Sequence, residues 1–271
     1  MEKYRIIEKS IIKKYRKEIW SKFIKAIKNY HLVEENDKVA VCMSGGKDSF
    51  LLAKCMQELQ RHGMVSFELK FIVMNPGYTE EVLSKIKDNL KLLNIEAEIF
   101  EAPIFKISER FDSPCYFCAK MRRGYLYDYA KKMGCNKIAL GHHMDDVVET
   151  ILLNLIYNGS YSSMLPKLES DNFEGMELIR PLYLIEEKNI IAWKNFNHLS
   201  FIDCACAVTA KSSGKRAEMK TLLTYLERYN KDVKKSLFTS ANNVNLNTVI
   251  GYHRDSDFYS KYDWFSFIEM L

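Results

Sequence analysis

Cysteine is scarce in this chain: seven in 271 residues, too few for the disulfide framework of a small secreted scaffold. Long apolar runs are missing as well. No stretch approaches the roughly 18 apolar residues of a membrane span. The opening MEKYRIIEKSIIKKYRK carries positive charge without the uninterrupted apolar region of a signal peptide. These absences lead to the expectation of a reduced, cytoplasmic chain with no membrane association, in which clustered cysteines read as metal or redox sites. Glycine and proline are few, 11 and 5, and 47% hydrophobic with 28% charged residues is ordinary globular usage. Disordered, collagenous and coiled-coil classes are therefore without support. The length suits one large or two modest domains.

Charge of one sign is also in short supply overall, with 40 basic residues against 35 acidic ones. The surplus is local. Residues 1–30 hold ten Lys or Arg against three Glu, and the other 241 residues sum to −2. Apolar residues in that segment, Tyr4, Ile7, Ile11, Tyr15, Ile19, Phe23, Ile27 and Tyr30, recur every three to four positions. The spacing predicts one long amphipathic helix with a basic opposite face. Either that helix packs on the body with a solvated lysine face, or the basic face meets a polyanion.

Beyond it, strand-like and helix-like patterns alternate. DKVAVCM, FELKFIVMN, AEIFEA and NKIALG read as strands. FLLAKCMQELQRHG, EEVLSKIKDNLKLLN, MRRGYLYDYAKKMG and DDVVETILLNLIYNG read as helices. Such alternation predicts an α/β fold, a parallel twisted sheet with helices on both faces, preceded by the basic amphipathic helix. Residues 164–180, with Pro166, Asp171, Asn172 and Gly175, read as a loop or hairpin. Helices are expected near 186–198 and 216–229. The expected organisation is 1–30 as the basic helix, 31–230 as the main domain, and 231–271 as an extension without clear period.

Ser44-Gly45-Gly46-Lys47-Asp48-Ser49 lies between the first strand and its helix. Two glycines let the backbone approach a ligand closely, and a helix N-terminus aims free N–H groups and a positive dipole end at it. A phosphate belongs there, although the spacing is not that of a Walker A loop. Open α/β sheets bind ligands at a switch in strand order, so NKIALG, followed by GHHMDDVVET, should supply the facing half. Gly141 and His142 then line the nucleotide site. Asp145 and Asp146 would stand with Asp48 at the mouth, where hard oxygen ligands suit Mg²⁺. One of the two is expected only to cap its helix.

Cys115 and Cys118 open the next helix candidate, which also holds Arg122 and Arg123. A lone C-x-x-C serves as a redox pair, as half of a zinc site or as part of an iron-sulfur cluster. Cys204 and Cys206 lie far along the chain; one joining the pair gives three thiolates, and both joining give a set that also suits zinc. Cys42, Cys55 and Cys135 read as small core residues.

Together, VEENDKVAVCMSGGKDSFLLA, SPCYFCAKMRRGYLYDYAKKMGCNKIALGHHMDDVVETILLNLIYNG, Met164-Leu165-Pro166 and Ile179-Arg180-Pro181-Leu182 resemble the tRNA 2-thiocytidine synthetase family (TtcA) of PP-loop ATP pyrophosphatases. The resemblance covers about residues 30–229. It implies a PP-loop fold and an enzyme that uses ATP to adenylate the C2 carbonyl of a pyrimidine, most readily a cytidine of the anticodon loop. Sulfur delivered on a [4Fe-4S] cluster then replaces the oxygen. It implies ATP at Ser44 to Ser49, cluster ligation by Cys115 and Cys118, and Arg122 with Asp145 or Asp146 at the reacting base. It further implies tRNA as partner, a sulfur donor such as a cysteine desulfurase, and a homodimer. The chain departs from the family at the third ligand, where Cys204-x-Cys206 replaces C-x-x-C.

Two more segments are basic, 115–137 with six Lys or Arg against one Asp and 211–235 with eight against three acids. With 1–30 they are expected to form one positive surface for tRNA phosphates. The rival readings are a PP-loop enzyme that adenylates another substrate beside a zinc site, and a non-catalytic nucleotide- or RNA-binding module.

Overall fold

The computed structural model describes residues 2–63, 65–108, 114–202, 214–254 and 257–260. The chain begins with helix α1 (Lys3–Ile12), a π-helical turn at Arg16–Trp20 and α2 (Ser21–Asn29). The α/β core follows in the order β1 (Lys38–Met43), α3 (Lys47–His62), β2 (Glu68–Asn75), α4 (Glu80–Leu92), β3 (Glu98–Glu101), α5 (Ile104–Ser108), α6 (Pro114–Lys132), β4 (Lys137–Ala139) and α7 (Met144–Tyr157). Next come a hairpin of β5 (Lys167–Glu169) and β6 (Glu177–Ile179), then α8 (Glu187–Phe196), α9 (Lys215–Leu226) and α10 (Val233–Ser240). A second hairpin, β7 (Gly251–Arg254) with β8 (Asp257–Ser260), lies in the region where the sequence shows no period.

The sheet runs β3-β2-β1-β4-β6-β5, parallel except for the edge strand β5, which pairs antiparallel with β6. β1 is buried at every position but Lys38, as a central parallel strand covered on both faces must be. Its side chains alternate between two cores. Val39, Val41 and Met43 join one cluster with α3, α8 and the N-terminal helices. Ala40 and Cys42 join another beneath Tyr127 and Ala130 of α6. Cys42, Cys55 and Cys135 are buried free thiols in these cores, as their surroundings in the sequence suggested. Buried Lys137 binds Asp37 at 2.7 Å and Glu177 at 3.0 Å, pinning β4 between its neighbours.

The N-terminal segment is not the single helix its spacing predicted. Positions 7, 11, 15, 19, 23 and 27 repeat every four residues. At about 3.6 residues per turn, each step of four runs ahead by about 40°, so a straight α-helix cannot keep them on one face. The wider π turn absorbs the drift. There the N–H groups of Tyr15 and Trp20 bond five residues back, to the carbonyls of Ser10 and Tyr15. Ile7, Ile11, Ile19, Phe23 and Ile27 consequently all reach the main core. Lys13, Lys14 and Arg16 stay exposed on the other side.

Strand order reverses between β1 and β4, each followed by a helix leaving the carboxyl end of its strand. The crevice outside those ends is where such sheets take ligands.

Candidate active site

The loop after β1 turns through Gly45 at φ +85°, and Gly46 caps α3. Two constraints fall on Gly45. Its backbone conformation disfavours any side chain, and a Cβ there would lie 2.6 Å from Ile202 and 2.8 Å from Ile86. Ile202 also donates its N–H to the Gly45 carbonyl at 3.3 Å. The segment leading into Cys204 and Cys206 thus packs against the loop as far as it is described. Across the crevice, a Cβ at Gly141 would stand 3.1 Å from the Asp48 carbonyl carbon and the Ser49 nitrogen. A glycine after β4 is what lets that backbone close on the first turn of α3. The N–H groups of Lys47, Asp48 and Ser49 have no intrahelical partner by position and are available to an anion.

Lys47 stands between two carboxylates, Asp48 at 3.2 Å and Glu187 at 3.0 Å. Burial opposes its charge, but Asp48 and Glu187 outweigh burial and raise its pKa. Asp48 moves the other way for a carboxylate, its pKa raised by burial although His143 and Lys47 resist. Its Oδ1 is buried, lacks a hydrogen-bond partner among the described residues and lies 3.8 Å from His143 Nε2.

The paired aspartates do not join Asp48 in the expected three-carboxylate cluster. Among the described residues no group of three His, Cys, Asp or Glu is arranged to hold a metal. Asp145 Oδ2 accepts the Glu187 N–H at 2.7 Å, capping α8, while its Oδ1 meets Lys234 at 3.1 Å. Asp146 Oδ2 accepts the His143 N–H at 2.8 Å, capping α7, and its Oδ1 lies 3.5 Å from Arg216. Both therefore cap helices, where only one was expected to. Asp48 alone keeps a free carboxylate oxygen. One carboxylate with phosphate oxygens and waters is an ordinary Mg²⁺ environment, so Asp48 fits such an ion and the pair does not.

The basic segment around α9 and α10 reaches into this acidic rim. Arg216 meets Asp146, Lys220 meets Glu187 at 2.6 Å, and Lys234 meets Asp145. Its apolar side, Met219, Leu223, Leu237 and Phe238, packs on Val148 and Leu152 of α7. Part of the charge expected to face tRNA is thus committed to the site's carboxylates. Lys220 and Lys47 overcome burial at Glu187 and draw its pKa down to about 2.

His142 follows Gly141, and burial lowers its pKa to about 4, with Arg180 and Arg216 adding to the effect. Its Nδ1 and the Arg122 Nε are buried without partners among the described residues. The Arg122 guanidinium lies 5.6 Å from the Phe105 ring. Cys204 and Cys206 lie outside the described residues. Cys115 and Cys118 are the second and fifth residues of α6, and the cluster assignment for all four rests on the sequence. Sequence reasoning missed Glu187, His143 and Arg180 as site residues. A cationic residue immediately after a strand, as in LIR, was the signal for Arg180; Glu187 offered none beyond its place at a helix start.

A phosphate-accepting loop at the switch point of a parallel sheet, with Gly141 closing on it, defines a PP-loop nucleotide-binding enzyme fold. The PP-loop domain model matches residues 16–211. A tRNA-cytidine(32) 2-sulfurtransferase of Geobacter metallireducens is 37% identical over 236 residues, 86% of this chain and 91% of that protein. One from Francisella tularensis subsp. tularensis is 35% identical over 251 residues, 90% and 92% of the two chains. The U34-tRNA thiolase NcsA from Methanococcus maripaludis, solved with its [4Fe-4S] cluster, shares the fold at a TM-score of 0.67. Its identity is 23%, over 86% of this chain and 80% of that one. The chain belongs to the tRNA 2-thiocytidine synthetase family, sulfurtransferases of the PP-loop ATP pyrophosphatase superfamily.

Proposed function

We propose that the protein thiolates tRNA. In this reading it adenylates the C2 carbonyl oxygen of a cytidine in the anticodon loop at the expense of ATP, releases pyrophosphate, and replaces the adenylated oxygen with sulfur, releasing AMP. The observation that carries the reading is the crevice itself: the α3 N-terminus, Lys47 and the tight Gly141 backbone converge where a triphosphate would lie. The relatives named for cytidine 32 support the choice of base.

The C2 oxygen is a poor leaving group, so it must be activated before displacement. Lys47 and the N–H groups of Lys47, Asp48 and Ser49 would bind the departing pyrophosphate, where preorganised donors stabilise developing charge. Asp48 Oδ1 would carry Mg²⁺. Arg122 would stabilise the oxygen as negative charge develops on it, and Asp145 or Asp146 would manage the N3 proton. The latter role requires Lys234 or Arg216 to release its aspartate when substrate binds. Cys115 and Cys118, with Cys204 or Cys206, would hold a [4Fe-4S] cluster, which supplies sulfur. The base must leave the loop stack to reach this crevice. The reading includes a cysteine desulfurase as sulfur donor and a homodimer.

Mass spectrometry of tRNA nucleosides from a deletion strain tests it. Loss of 2-thiocytidine is expected. Loss of a different thionucleoside moves the target, and unchanged thionucleosides overturn the proposal. Anaerobically purified protein should contain iron and acid-labile sulfide; stoichiometric zinc without visible absorbance would remove the cluster.

A further inference from the structure

Arg180 directly follows β6, the strand beyond β4 from the phosphate loop. It is only 7% exposed. One guanidinium N–H is given to the Leu165 carbonyl. Its Nε has no partner, and no carboxylate lies within ion-pairing distance, among the described residues. The electrostatic neighbours of the guanidinium are Arg123 and Tyr127 of α6, Tyr183, and Asp146 at the start of α7. Burial and the like charge of Arg123 push its pKa down to about 10. His142, whose Nδ1 is also unpartnered, feels the same guanidinium from the crevice side.

A buried charge with no carboxylate in direct contact costs several kcal/mol, and a fold gains nothing by keeping one for stability. The contrast with Lys54 and Lys137 is direct, since those buried cations are each matched by carboxylates. The missing partner of Arg180 is therefore an anion that arrives from outside. A guanidinium offers a planar fork suited to two oxygens of one phosphate. β4 separates it from the α3 N-terminus that takes the nucleotide's phosphates. α6 covers this face of the sheet and brings exposed Arg123 and the basic run that follows it near the guanidinium. The geometry points to Arg180, flanked by Arg123 and His142, as the binding site for a backbone phosphodiester of the RNA next to the reacting nucleotide. This deepens the proposed function and rests on tRNA being the substrate.

The test compares wild type, Arg180→Met and Arg180→Lys in three measurements: tRNA affinity across a salt series, ATP affinity, and thermal midpoint. Met keeps the buried volume and removes the charge. The expected result for Arg180→Met is tRNA binding weakened about tenfold and a salt slope smaller by about one. ATP affinity should be unchanged and the thermal midpoint equal or higher. Arg180→Lys should lie between. Unchanged tRNA affinity in Arg180→Met overturns the assignment. A loss confined to ATP overturns it in favour of a nucleotide phosphate. A lowered midpoint with both affinities reduced overturns it in favour of a structural role for the Leu165 bond or for an internal carboxylate. Wild type that binds no tRNA overturns the proposed function beneath it, and the assignment with it.

Discussion

Lys47 and Arg180 stand on either side of β4 and differ in what surrounds them. Lys47 is held by Asp48 and Glu187, and Glu187 is held in turn by Lys220. Arg180 has a carbonyl and, among the described residues, no carboxylate. Paired charges fix geometry before the ligand arrives. An unpaired buried charge leaves binding free energy to be gained when the ligand supplies its partner. On this view the loop side is preorganised for a small nucleotide, and the β6 side is poised for an anion of the larger substrate.

The largest effect that probes the contrast is Lys47→Ala. It should lower tRNA-dependent pyrophosphate release by about 100-fold or more, as loss of a preorganised donor does. Lys220→Ala removes only a partly exposed cation from Glu187 and should change release by less than about threefold. Equal losses in the two variants would show that the paired network acts as one unit. Gly45→Ala comes next. The conformation alone costs about 1–2 kcal/mol, and the crowding by Ile202 and Ile86 adds to it. ATP affinity measured calorimetrically should fall about tenfold or more.

A smaller effect concerns His142, which titrates near 4 when folded against 6.5 for a free histidine. As pH falls from 6.5 toward 4, the unfolded chain takes up a proton that the folded chain refuses. Stability should therefore drop across that window and be independent of this group above it. In Arg180→Met the guanidinium's opposing charge is gone, so histidine titration followed by NMR should show the His142 midpoint moving upward. A midpoint that stays in place separates the two groups. The smallest expected change is Glu187→Gln. It removes a negative charge beside the phosphate site and should tighten ATP binding by no more than about fivefold.

Local patterns disclosed the framework. Glycines between an alternating apolar strand and a helix, repeated along the chain, announced a parallel sheet and the crevice after β1 and β4. Features that depend on distant partners were not legible. Asp145 and Asp146 read as metal ligands because adjacent carboxylates at a strand's end suit a cation. That Asp145 caps α8 is decided by Glu187, 42 positions away. The break in the N-terminal helix was written in the sequence, since a strict repeat of four is not that of an α-helix. Reading three-to-four spacing as one period concealed it.

The packing of Ile202 on Gly45 also limits how the chain can vary. Relief at one position does not restore the other. Trimming Ile202 to alanine would clear only part of the space, since Ile86 stays 2.8 Å from a Cβ there, and a side chain at residue 45 would still face the left-handed backbone at φ +85°. Compensation at Ile202 should therefore rescue a substituted loop only in part. The phosphate loop and the segment entering Cys204 are therefore mechanically coupled at Ile202, and a substitution in one is felt by the other.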